Sequence, residues 1–114
     1  MKEYLLLIRG GDARMENMSE EDRNAHMAAW GKYMEGLAQG GNLSGGLPLD
    51  MGGRVLTNQG ASEDVVRSEA GEAVGGYLLI KANDYAHAVE LSKGCPVFEH
   101  NGNIEIREAL PMDM

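Results

Sequence analysis

Cysteine occurs once in 114 residues, at Cys95, so an internal disulfide and a cysteine zinc cluster are both excluded. In "KGCPVF" that residue is expected to be a small buried apolar group after a helix. Long apolar runs are also missing. The opening "MKEYLLLIRGG" has only five consecutive apolar residues, Tyr4 to Ile8, between charges. That is too short for a signal peptide or a membrane span, and points to the cytoplasm. Basic residues are scarce, with 10 Lys and Arg against 18 Asp and Glu and a formal charge of -8. Such a field repels phosphate backbones and anionic lipid heads, so neither nucleic acid nor a membrane is an expected partner. No serine stands in a Gly-x-Ser-x-Gly context, which removes acyl-enzyme chemistry of that kind. No Gly-Lys-Ser/Thr follows the glycine-rich middle, so no phosphate-cradling loop is read there. The three histidines lack metal-ligand spacing, and no metal is expected.

The residues that remain are ordinary for one globular domain, 43% apolar and 25% charged. "EYLLLIR" and "GGYLLIKA" are apolar at both parities, which reads as two strands covered on both faces. Ser19 followed by "EED" predicts a helix N-terminus, and the glycines at 40 and 41 predict its end. On a helical wheel Tyr33, His26, Leu37, Trp30 and Met34 share one face, while Glu21, Lys32, Glu35 and Gln39 lie opposite. Asn83 or Asp84 can cap a second helix, "DYAHAVELSK", with Tyr85, Ala88 and Val89 inward, His87 outward and Gly94 as its stop. "GRVLTN" and "EIREAL" read as weaker strands, and "GGNLSGGLPLDMGG" as a connection. The polar stretch 58–73 reads as a hairpin or an excursion over the sheet.

The resulting order is strand, long helix, strand, strand, shorter helix, strand, the split βαβ pattern of an α+β ferredoxin-like fold. Its first and third strands occupy the centre of an antiparallel sheet, in agreement with the two that are apolar on both faces. Two helices cover one face, and an exposed apolar sheet face on the other side predicts a homodimer.

Among ionisable residues, His26 stands on the apolar stripe beside Trp30 and Tyr33, where it is either a base or a hydrogen-bonded core group. Asp64, Glu69 and Glu72 belong either to a solvated loop or to a carboxylate group set over an apolar sheet for proton transfer. Glu105 and Arg107 stand two apart on the last strand, either as an ion pair or with Arg107 as an anchor for a carboxylate or enolate.

The start "YLLLIRGG", the segment "EAVGGYLLIKANDYAHAVEL" and the ending "KGCPVFEHNGNIEIREALPM" together resemble the YCII-related family, in the branch named after an Asp-Gly-Pro-Phe motif. Counting back from Gly75, Gly76 and Tyr77 places the motif aspartate at Asp64 and its two glutamates at Glu69 and Glu72. Val65, Val66 and Arg67 replace Gly-Pro-Phe, and Gly71 stands where that branch has a lysine, removing a positive partner of the acids. The resemblance implies a dimeric α+β barrel and a superfamily of cofactor-free enzymes acting on small, often cyclic, molecules. With His26 on the apolar stripe and the motif acids retained, His26, Asp64 and Glu72 are the expected catalytic groups of an isomerase, lyase or hydrolase, with Trp30, Tyr77, Glu105 and Arg107 contacting a cyclic or anionic substrate. Some relatives accompany sigma-factor genes, which implies the alternative of a non-catalytic regulatory or protein-interaction module.

Overall fold

The computed structural model of the chain describes residues 1–10, 18–49, 54–62 and 74–112. Strand β1 (Lys2–Arg9) is followed by helix α1 (Glu20–Gln39), β2 (Leu43–Pro48), β3 (Val55–Thr57), β4 (Gly60–Ser62), β5 (Val74–Ala82), α2 (Tyr85–Ser92), a 3₁₀ turn (Pro96–His100) and β6 (Asn103–Glu108). Four strands form an antiparallel sheet in the order β2-β5-β1-β6. The two strands apolar at both parities, β1 and β5, are its centre, as the sequence predicts for a ferredoxin-like α+β fold. β3 and β4 form a separate two-stranded hairpin.

Strand alternation divides the sheet cleanly. Tyr4, Leu6 and Ile8 of β1 are buried and lie beside Leu78 and Ile80 of β5 and, in register, Ile106 and Ile104 of β6. Both helices pack on this face, through Leu37 of α1 and Ala88 of α2. Each large side chain enclosed there contributes about 1.5–3 kcal/mol of apolar burial. Leu5, Leu7, Tyr77 and Leu79 alternate to the opposite face and are half-buried.

Local chemistry sets the helix ends. The Ser19 side chain accepts from the Asp22 amide at 3.0 Å, and Glu20, Glu21 and Asp22 fill the first turn, where the helix dipole favours negative charge. At the far end Gly41, at φ +76°, donates to the Ala38 carbonyl, and Asn42 to that of Leu37. Asp84 caps α2 by accepting from the His87 amide at 2.8 Å. His87 is half-buried rather than solvated, and its Nδ1 accepts from the Asn83 amide at 3.0 Å.

Two further sequence expectations need correction. The strand that pairs with β5 is Leu43–Pro48, inside the segment read as a connection, and "GRVLTN" goes to the separate hairpin instead. Gly46 accounts for this: a Cβ there would stand 2.6 Å from both Leu78 Cδ2 and the Tyr77 carbonyl oxygen, so β2 lies too close to β5 for any side chain. The inward face of α2 is formed by Ala88, Leu91 and Ser92, whereas Tyr85 and Val89 are 49% and 42% exposed. Small residues let this helix approach the sheet, and the Ser92 hydroxyl is satisfied by donating to the Ala88 carbonyl at 2.7 Å.

Candidate functional site

Helix α1 does not lie flush on the sheet. Between its first half and the strands is a cavity of about 240 Å³, walled by His26, Trp30 and Met34 of α1, Ile8 of β1, Leu78 of β5, and Val97. Its floor runs along Gly46 of β2 and Gly75 and Gly76 of β5. Glycine there lets β2 and β5 approach closely: a Cβ at Gly46 would meet the Tyr77 carbonyl oxygen at 2.6 Å, and one at Gly76 the Leu47 carbonyl oxygen at 3.3 Å. At its rim Met27 and Leu47 are 59% and 62% exposed, so the mouth is apolar and open to solvent.

Within this lining His26 is the one ionisable group of α1, and it is 8% exposed. Position 26 follows the Ser19 cap by two turns, on the stripe that faces the sheet. Its Nε2 accepts the indole N–H of Trp30 at 3.0 Å, one turn further along the same face. Trp30 meets Tyr33 edge to face at 6.0 Å, and the Tyr33 hydroxyl donates to the Leu91 carbonyl at 2.7 Å. Burial pushes the Tyr33 hydroxyl well above its ordinary pKa, which holds it as a neutral donor. An aromatic relay thus ties His26 to α2.

Of the residues singled out in the sequence, the structure brings His26 and Trp30 together at the cavity. Tyr77 borders it, although its place in the strand alternation is with Leu79 on the opposite face. Glu105 and Arg107 are elsewhere: Ile104 and Ile106 take the core side of β6, which turns Glu105 and Arg107 to the far face. The pairing of His26 with Arg107 as base and anchor of one cleft is therefore not formed, because the sheet itself stands between them. Asp64, Glu69 and Glu72 lie outside the described residues.

On that far face Glu105 accepts from Arg9 Nη2 at 3.1 Å through one oxygen and from Arg107 Nη1 at 3.3 Å through the other. Hydrogen bonds from Arg107 and then from Arg9 hold its carboxyl below the ordinary glutamate range. Cys95, 3% exposed, has its thiol pushed up to about 11 by burial, which makes it unreactive. Among the described residues no three His, Cys, Asp or Glu side chains gather as a metal site, and no helix is long and apolar enough to cross a membrane.

Sequence reasoning missed the cavity floor. The signal was the glycine pair at 75 and 76 inside an otherwise apolar strand, since glycine in a strand marks a bulge, a close backbone approach or a ligand.

No curated protein matches the chain. Among solved structures, the fold is similar to that of 5-chloro-2-hydroxyhydroquinone dehydrochlorinase (TftG) from Burkholderia phenoliruptrix AC1100, in complex with 2,5-dihydroxybenzoquinone. The TM-score is 0.54 at 13% identity, over 92% of this chain and 90% of that one. The family model described as the YCII-related domain matches residues 3–113, nearly the full length of the sheet and helices described above, and the chain belongs to the YCII-related family.

Proposed function

We propose that the protein binds a small, uncharged ring compound in the cavity beneath α1 and that His26 exchanges a proton with it, as in a lyase or isomerase step. The observation that carries this is the lining: a single imidazole in an otherwise apolar cavity of about 240 Å³. Apolar protein cavities of about 150 Å³ take benzene, so a substituted six-membered ring fits by volume. A charged ligand would lose its hydration there without a paired countercharge among the described residues, which favours a neutral one. Proton transfer needs a titratable group within hydrogen-bond reach of the ligand, and His26 is the group so placed. The structurally similar dehydrochlorinase acts on a hydroxylated ring, which supports the same substrate class here. Asp64 and Glu72, two of the motif acids, lie outside the described residues and remain part of the proposal as partners of His26 in proton transfer. A non-catalytic protein-interaction module has no need of such a cavity, which favours the small-molecule reading.

The proposal includes a homodimer. The face carrying Leu5, Leu7, Tyr77 and Leu79 has no described helix over it, and a second copy of that face would bury it. Light scattering at micromolar concentration is expected to give twice the 12.3 kDa of the chain. A particle of chain mass sinks the dimer.

Chemical-shift mapping with chlorohydroquinone, a neutral dihydroxylated ring, tests the site. Shifts centred on Ile8, His26, Trp30 and Met34 are expected. Shifts centred on Leu5, Arg9 and Arg107, or none at millimolar probe, refute the assignment.

A further inference from the structure

Trp30 does more than wall the cavity. We infer that it is a positioning residue for His26: its indole N–H, 3.0 Å from Nε2, fixes the imidazole in the tautomer that carries its proton on Nδ1. The inference rests on the proposed role of His26, but the tautomer itself belongs to the unliganded protein.

Donor and acceptor identities carry the step. An indole nitrogen only donates, so the nitrogen facing it must offer a lone pair. A neutral imidazole has one bare nitrogen and one N–H, and with Nε2 bare the proton resides on Nδ1. Spacing of four residues on α1 holds the two rings one turn apart, edge to face at 85°. The indole is itself restrained, because Tyr33 packs against it at 80° and is anchored through its hydroxyl to the Leu91 carbonyl of α2. From the other elements, Ile8, Leu78, Val97, the glycine backbone and Tyr77 line the cavity with this pair; Tyr77 is the other titratable side chain of the described lining, which holds no Asp, Glu, Lys or Arg.

The consequence is a choice of proton sites. Neutral His26 presents Nδ1–H as its donor, and its Nε2 lone pair is already engaged. Protonation at Nε2 makes the imidazolium a donor at both nitrogens, which the indole cannot accept, so proton uptake and the Trp30 hydrogen bond exclude each other. A proton arriving at Nε2 displaces the indole, and its departure restores the bond. Trp30 thereby sets which nitrogen carries the proton in the resting site.

The chain has one tryptophan, so its indole resonance is unambiguous. Long-range ¹⁵N–¹H correlation of the His26 ring, above its titration and without ligand, is expected to show Nδ1–H. On acidification the Trp30 indole proton is expected to move with the midpoint of His26. In Trp30→Phe, which keeps a ring but loses the donor, the Nε2–H form should rise several-fold while the amide spectrum stays native. Nε2–H in the wild type, an indole signal indifferent to His26, or an unchanged tautomer in a folded Trp30→Phe each overturns the inference. If Trp30→Phe does not fold, the wild-type titration decides alone. Failure of ring compounds to bind would refute the proposed function and leave this result untouched.

Discussion

Gly46→Ala and Gly45→Ala are neighbouring, chemically identical changes with opposite expected outcomes. At Gly46 a new methyl meets Leu78 Cδ2 and the Tyr77 carbonyl oxygen at 2.6 Å and the Leu78 Cα at 3.0 Å. The leucine tip can yield, but the backbone atoms cannot unless β2 moves off β5. The φ of Gly46, +156°, lies in a region open almost only to glycine and adds backbone strain. Overpacking of this kind costs about 1–3 kcal/mol. At Gly45 an added Cβ meets nothing within 4 Å, and alanine restricts the unfolded chain, a gain of about 0.4–1 kcal/mol. The two variants should therefore differ by roughly 1.5–4 kcal/mol, or about 6–16 °C in Tm at roughly 4 °C per kcal/mol for a domain of this size. Thermal unfolding followed by circular dichroism, with urea midpoints at equal slope, measures the gap. Equal stabilities would show that "LSGGLP" is a loose connection and not the strand that floors the cavity.

Three other outcomes follow from the charges and burials described. The Glu105 carboxyl is held below its ordinary range when folded, so its contribution to stability is complete above the unfolded glutamate pKa of about 4.3 and is lost as pH falls through the folded value. Glu105→Gln should accordingly lose stability against the wild type near neutrality and match it in acid, read from urea midpoints against pH; a constant difference would contradict the pairing with Arg9 and Arg107. Cys95, with its thiol raised to about 11 by burial, should react with a disulfide reagent at neutral pH only after unfolding in guanidinium, and rapid native labelling would refute the burial. The Tyr4 hydroxyl is buried without a hydrogen-bond partner among the described residues, and burial, then Glu108, Tyr85 and Asp84, push its pKa up. Tyr4→Phe should leave Tm equal or higher, and a clear loss would reveal a hidden partner.

What the sequence disclosed was what side-chain alternation can record. β1 and β5 were legible as the centre of the sheet because Leu5, Leu7 and Leu79 are apolar where an edge strand would be polar. α1 was legible from Ser19, the acids after it and the stripe through His26, Trp30 and Leu37. β2 was not, since Gly45 and Gly46 carry no side chains to alternate and only the closeness of β5 explains them. The inward face of α2 was misjudged for a related reason: hydrophobicity favoured Tyr85 and Val89, while close approach to the sheet favoured Ala88 and Ser92. Tyr85 instead meets Tyr4 edge to face at 4.9 Å, and its hydroxyl accepts the Glu108 amide at 2.9 Å. The Glu105–Arg107 pair could be read from spacing along one strand, but Arg9 joins it through the register of β1 with β6, which is not written in either segment alone. The cavity lies between elements far apart in the sequence, and its local mark within one segment was the glycine pair at 75 and 76.

The central claim is that the space between α1 and the sheet is a binding site rather than a packing defect. Calorimetric titration of chlorohydroquinone into the wild type and into Met34→Trp, whose larger ring would occupy that space, tests it most directly. One-to-one binding heat in the wild type and its loss in a folded Met34→Trp are predicted. Equal heats in both proteins, or no heat in the wild type, would contradict the account.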